Sequence, residues 1–402
     1  MTKPYWLAAL TLIFSACNSP AGDASTTSPT PRNLSVLKEG KALESSHAKD
    51  NSFQLYKLLA SNPENVNFSP LSLKIAFSLI YPGTNGETQK LFERLFGFSE
   101  SAVSPFKAEY ELAEKIRSEQ VPGVALSIAN SVWAKNPKEL FSNFKDSLKI
   151  QNAEVFKLNL EAMNAWVDNA TSHKISKIVN FLSPSTQLVA INAIYFKQKW
   201  LSPFKSDKTV VAPFQASLNL SLKVPTMNDK KNIKYYEDET SKWISLPYQN
   251  SPLVMILALP IKRFDLNAVS EKLNSEYLIN VTAQMKETNV TLSIPKFKFS
   301  KSESLKVILS QAGYEDLFTK GDYTKISKSK LSLSDVIQAT SIEVDETGTE
   351  AAAVTAALMT RNMVMPPTLH KYFLADQPFI FMIQNESTKE IYWLGRVYQP
   401  NY

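Results

Sequence analysis

Ser341–Pro367 reads SIEVDETGTEAAAVTAALMTRNMVMPP, and its character changes abruptly along its length. Ile342 and Val344 alternate with Glu343 and Asp345, the pattern of a half-buried strand. The run Thr349-Glu350-Ala351-Ala352-Ala353-Val354-Thr355-Ala356-Ala357 follows, almost all small and carrying one charge. It is too weakly apolar for an ordinary core helix. It is also too short, and too poor in Ser, Gly and Lys, for a plain flexible linker. At period two the run becomes coherent. If Thr349 points inward, so do Ala351, Ala353, Thr355 and Ala357, while Glu350 points out. Such a segment can lie exposed as a loop, or enter a sheet as a central strand without burying a charge. Gly348, just before it, permits the backbone bend an insertion needs. The competing reading is an Ala-rich surface helix.

The rest of the 402-residue chain sets the frame. Hydrophobic residues make up 44% of it, enough for a sizeable core, and no repeat or internal linker divides it. The net charge of +6 is spread along the chain, and Lys223–Lys234 reads as a solvated face. Nucleic acid is not an expected partner, and a monomer is expected. Cys17 is the single cysteine, which excludes an intrachain disulfide. Three histidines leave little material for a metal site or a His-based triad. Gly-x-Ser-x-Gly and His-Glu-x-x-His are absent, and Gly83–Gly86 lacks the spacing and the following Lys-Ser/Thr of a phosphate loop. The chain is therefore not expected to be an enzyme, and no cofactor is expected.

The chain opens with a targeting segment. Lys3 precedes the apolar run Trp6–Phe14, which is too short to span a bilayer as a mature helix. Phe14-Ser15-Ala16-Cys17 resembles the lipobox of bacterial lipoproteins, with Phe14 where Leu is usual. That resemblance implies a lipid on Cys17 and anchoring to a membrane; the alternative is an ordinary signal peptide cleaved near Ala16. Either way the mature protein is expected to be exported, as an outer-membrane or cell-surface lipoprotein or as a secreted, extracellular protein. Residues 1–17 thus read as signal peptide, 18–46 as a disordered Ser/Thr/Pro-rich tether, and 47–402 as the folded domain.

Within the domain, Ser69 is placed as the N-cap and Pro70 in the first turn of a deeply apolar helix holding Leu71, Ile75, Phe77 and Leu79. Gly86-Glu87-Thr88 opens a second helix, amphipathic through Leu91, Phe92, Leu95 and Phe96 and ended by Gly97. Ile191–Tyr195 is a short apolar run leading to Trp200. Leu253–Leu259, between prolines, reads as a strand buried on both faces. Val290, Leu292 and Ile294 alternate until Pro295, after which the phase shifts to Phe297 and Phe299, as at an interruption or a bulge. Pro378–Ile383 and Glu390–Val397 read as a closing strand pair around Asn385–Lys389. Early helices, later strands and a final hairpin make an α+β plan.

Several separated motifs in one order carry a stronger identification. Glu346-Thr-Gly-Thr-Glu-Ala-Ala-Ala353 resembles the hinge of the reactive-centre loop of serpins. The likeness extends over residues 50–400 through Asn67–Leu73, Asn192–Lys197 with Trp200, Val224–Met227, Ser293–Phe297, Ala375–Phe379 and Gly395–Val397. It implies helices around a large central mixed sheet, two further sheets and an exposed reactive-centre loop. It also implies a metastable suicide inhibitor of serine or cysteine proteases. The protease cuts the loop, and the cut loop enters the main sheet before the acyl-enzyme is hydrolysed. The hinge is then Glu346, Gly348, Thr349, Glu350, Ala351, Ala352 and Ala353. Ser69, Ser72 and Asn192 match a polar cluster under the opening of the sheet, with Gln338 where a His is usual. Trp200, Lys296 and Glu346 match the place where the hinge first enters. His173 stands where the family has Gly. Counting from Glu346 puts the reactive bond at Asn362-Met363, while a loop one residue shorter puts it at Arg361-Asn362. The chemistry of Arg favours the shorter register and a trypsin-like target. The alternative is a non-inhibitory serpin, a binding or carrier module.

Overall fold

The computed structural model describes residues 48–99, 106–118, 125–349 and 370–402. The segments read as signal peptide and tether, Cys17, the expected hinge residues Glu350, Ala351, Ala352 and Ala353, and the reactive-bond candidates Arg361, Asn362 and Met363 lie outside them. In chain order the strands are β1 (Val66–Phe68), β2 (Ala125–Ala134), β3 (Ala153–Lys157), β4 (Leu188–Lys199), β5 (Val210–Ser217), β6 (Leu220–Glu237), β7 (Ser241–Pro247) and β8 (Leu253–Pro260). They continue as β9 (Lys286–Pro295), β10 (Phe297–Ser304), β11 (Leu333–Val344), β12 (Gly348–Thr349), β13 (Lys371–Leu374), β14 (Phe379–Asn385) and β15 (Ile391–Val397). The architecture is α+β, with one large mixed sheet and a second, longer sheet system.

The mixed sheet runs β10-β11-β12-β4-β2-β3. β4 and β11 are also direct parallel neighbours, paired at Leu333↔Leu188 and, after a one-residue register shift, from Asp335↔Val189 to Ile342↔Phe196. The other sheet runs β1-β15-β14-β8-β7-β6-β9-β13, with β5 on β6. The two further sheets implied by the sequence are joined here by the 18-residue β6. Its first part pairs with β5 and its last part with β7. All eight residues of β8 are buried, which explains its unbroken apolar run.

Helix α1 (Ala48–Leu59) precedes β1, and α2 (Pro70–Ile80) follows it. Every residue of α2 is buried, so its start must satisfy its own amides. Ser69 Oγ accepts from Ser72 N at 3.0 Å, and Pro70 occupies the first turn, where a missing N–H costs nothing. Helix α3 (Gly86–Phe96) ends at Gly97, whose φ of 72° is the left-handed cap read from the sequence.

Of the two readings of the phase shift after Pro295, the structure shows the interruption and not the bulge. β9 belongs to one sheet and β10 to the other, and Lys296 is the single residue between them. Its amide donates to Pro225 O at 2.8 Å. Helices α4 (Lys107–Ser118) and α5 (Ser142–Ile150) come before α6 (Leu160–Ala170), which lies over the β4–β11 seam. Met163 and Val167 pack there against Ile191, Ala193, Ile337 and Ala339. Ala193 and Ala339 are register partners, so the covered face of the seam is low at that point.

Candidate functional site

The site is the upper end of the seam, where the chain leaving β11 turns back into the sheet. Asp345 builds the turn. Its Oδ1 accepts from Thr347 N at 2.9 Å, from the Thr347 hydroxyl at 3.1 Å and from Gly348 N at 3.2 Å. Its amide donates to Gly348 O at 2.8 Å. The strand alternation implied that Asp345 faces outward, yet it is buried, because the turn needs its carboxylate beneath the backbone. Burial raises the Asp345 carboxyl above the usual range, opposed by the bonds it accepts from Thr347 and Gly348.

Gly348 and Thr349 then run antiparallel to both flanking strands, with Gly348↔Lys199, Thr349↔Gln198 and Thr349↔Val344 as partners. A Cβ at Gly348 would stand 2.0 Å from Gln198 O and 2.7 Å from Lys199 Cα. Glycine is therefore required by the approach of two backbones rather than by the bend alone. Thr349 is fully buried, and its Oγ1 lies 2.8 Å from the Tyr248 hydroxyl. Burial pushes that hydroxyl's pKa upward, so Tyr248 stays neutral. Its ring stacks on Trp200 at 4.6 Å between centroids and 12° between planes. Trp200 in turn holds the turn. Its indole N–H donates to Asp345 O and its amide to Thr347 O, each at 2.9 Å.

Glu346 projects to the outer side. Its carboxylate lies 3.1 Å from Lys296 Nζ, both side chains being 14% exposed, and accepts from Thr209 Oγ1 at 2.7 Å. Burial alone would raise the Glu346 carboxyl; the Thr209 hydroxyl, the backbone amide and Lys296 outweigh it and hold it below the ordinary range. The Phe204 amide donates to Glu346 O at 2.7 Å.

Lower in the seam, the four residues matched to one polar cluster form two groups. Gln338 clamps the backbone of Ser69: Oε1 accepts from Ser69 N at 3.1 Å and Nε2 donates to Ser69 O at 2.7 Å. Ser69 Oγ, besides capping Ser72 N, donates to Tyr392 O at 2.6 Å. Asn192 instead donates to Asn130 Oδ1 on β2 at 2.7 Å. Gln338 and Asn192 are register partners across the seam, yet one is tied to the cap of α2 and the other to β2. Each side of the seam carries its own polar bonds, so the two sides can part without breaking these. The Ser72 hydroxyl and Asn192 Oδ1 have no hydrogen-bond partner among the described residues.

His173 takes up the left-handed conformation that glycine favours, at φ 61°, after Ser172 at φ 51°. Its Nδ1 lies 2.6 Å from Asp168 Oδ2, and its amide donates to Asp168 O at 2.8 Å. The turn after α6 is therefore made by a side-chain clamp. Among the described residues no group of three or more His, Cys, Asp or Glu side chains could hold a metal ion.

The two-residue strand β12 thus lies between two parallel neighbours at the end of the seam. The family model described as serpin (serine protease inhibitor) matches residues 46–400. This chain is a member of the serpin family. An uncharacterized serpin-like protein of Thermococcus kodakarensis is 32% identical over 95% of this chain and 92% of its own length. A leukocyte elastase inhibitor of Xenopus laevis is 32% identical over 87% of this chain and 97% of its own. The native state of tengpin, a thermophilic serpin, superposes with a TM-score of 0.75 at 26% identity, covering 88% of this chain and 93% of that one. The segment matched to the serpin hinge is described as far as Thr349. Sequence reasoning missed Tyr248, Thr209, Asn130 and the turn-forming role of Asp345. Only the last left a local signal, the Asp-x-Thr-Gly of a side-chain-closed turn.

Proposed function

We propose that this serpin is a suicide inhibitor of trypsin-like serine proteases. The protease serine attacks the carbonyl carbon of Arg361. An ester forms, the Arg361–Asn362 peptide bond breaks, and the Asn362 amine leaves with the C-terminal fragment. The freed loop extends β12 downward between β4 and β11, carrying the protease with it before water reaches the ester. The observation that carries this reading is the two-residue strand β12. It already lies between the parallel pair and antiparallel to both, with uncharged Thr349 pointing inward. Each further residue inserted replaces parallel contact between β4 and β11 with antiparallel pairing on both sides. The small residues Ala351 and Ala353 suit the interior as Thr349 does.

Trypsin incubation followed by denaturing electrophoresis tests the trap; a denaturant-resistant complex is expected. Mass spectrometry of the released fragment reads the register. A start at Asn362 supports Arg361, a start at Met363 moves the bond to Asn362, and a start at Met359 or Thr360 removes both. We further propose that Cys17 carries lipid and anchors the domain through the 18–46 tether. Acyl-chain labelling that persists in Cys17→Ala would exclude this.

A further inference from the structure

The last residues of the chain lie against the hinge. Lys298 N, on β10, donates to Asn401 O at 2.7 Å. Beside this bond, the Lys296 ammonium stands 3.9 Å from the centroid of the Tyr402 ring. The same ammonium is 3.1 Å from the Glu346 carboxylate. Three contacts therefore run in series from the C-terminus to the turn that starts β12: Asn401 on the backbone, Tyr402 on Lys296, and Lys296 on Glu346. Tyr402 is 54% exposed, so burial alone does not hold it there. The backbone bond to β10 and the cation under its ring do.

We propose that Asn401-Tyr402 is a clasp on the hinge, and that Tyr402 is a positioning residue for loop insertion. Lysine is a flexible side chain with a strongly hydrated head. At Lys296 its backbone is fixed at the passage between sheets, so only the head is free to leave Glu346. The Tyr402 ring covers that head and favours the position beside Glu346. Glu346 then keeps the Asp345–Gly348 turn at the point from which the loop goes down into the sheet. During insertion this turn is the pivot, because its bonds to Trp200 and Phe204 lie above the moving strand. A looser pivot delays the first inserted residues, and more acyl-enzyme is hydrolysed before the protease is displaced.

The proposal rests on the inhibitory reading, and its test separates the two. The full chain is compared with Tyr402→Ala and Tyr402→Phe. Hydrogen exchange at the amides of Thr347–Thr349 is measured in uncut protein, and the number of inhibitor molecules consumed per trypsin trapped is titrated. Tyr402→Ala is expected to raise both by about two- to five-fold, the effect of losing one partly exposed cation–π contact. Tyr402→Phe keeps the ring and loses the hydroxyl, which also interacts with Lys296, and is expected to fall between the parent and Tyr402→Ala. Unchanged hinge exchange in Tyr402→Ala overturns the clasp. So does a rise spread evenly over the molecule, or a Phe variant that behaves like Ala. Trypsin left untrapped by the parent chain would sink the inhibitory reading, while hinge exchange would still decide the clasp.

Discussion

At Thr349 the side chain is fully buried beside Tyr248, so neither charge nor bulk has a place to go. Thr349→Arg would put a guanidinium there at a cost of several kcal/mol. We expect a protein that is still cut by its target but traps little of it, its hinge amides exchanging faster even before cleavage. An unchanged yield of complex would show that Thr349 does not go inward. Glu346 gives the same region an acid limit. Its folded pKa lies below the ordinary value of 4.5, so its contribution to hinge order is fully present above that value and is lost as pH falls through the folded pKa. Hinge exchange, corrected for the intrinsic pH dependence of exchange, is therefore expected to rise below pH 4.5 in the parent. In Glu346→Gln it should be raised already at neutral pH, and the pH dependence left in that variant belongs to the buried Asp345 carboxylate that holds the Thr347 and Gly348 amides. A parent profile that coincides with that of the Gln variant would separate Glu346 from the hinge.

The elements differ in how far they could be read from sequence, and the difference follows the distance over which each is determined. Ser69-Pro70, Gly97, the buried β8 and the closing pair β14–β15 rest on local chemistry, and all stand where the pattern put them. The passage from β9 to β10 was left open between an interruption and a bulge, because a bulge and a change of sheet produce the same phase shift along the chain. The turn after α6 was legible as a departure at His173, but its clamp by Asp168 was not. Tyr248 reaches Thr349 across 101 residues and Asn130 reaches Asn192 across 62, and no periodicity encodes such pairings. The hinge itself was legible to its inward residue, although the need for Gly348 proved to be backbone proximity. The divided polar cluster makes a prediction at this scale. Gln338→Ala leaves the amide of Ser69 without a partner, while its carbonyl keeps the bond from Leu73 N at 3.1 Å, and is expected to cost about 1–3 kcal/mol. Ser69→Ala removes the cap of α2 and is expected to cost about 1–2 kcal/mol. Both would appear as lower denaturation midpoints of the uncut protein. A Gln338→Ala midpoint equal to the parent's would mean that the clamp does not hold α2 to β11.

In the molecule as a whole, the seam is closed along most of its length, where β4 and β11 pair directly, and parted at one end, where β12 lies between them over two residues. Ala193 and Ala339 keep the face under α6 shallow. On the proposed mechanism that helix rides over a wider sheet, and the chain holds its lowest free energy in reserve until the loop is cut. The most direct measurement is the melting temperature of the same protein before and after a single cut within Ala357–Met363 by a protease that is then removed. Insertion adds a full strand to the sheet, so the cut protein is expected to melt well above the intact one. Cut and intact samples that melt together would contradict insertion and leave a binding or carrier role in its place.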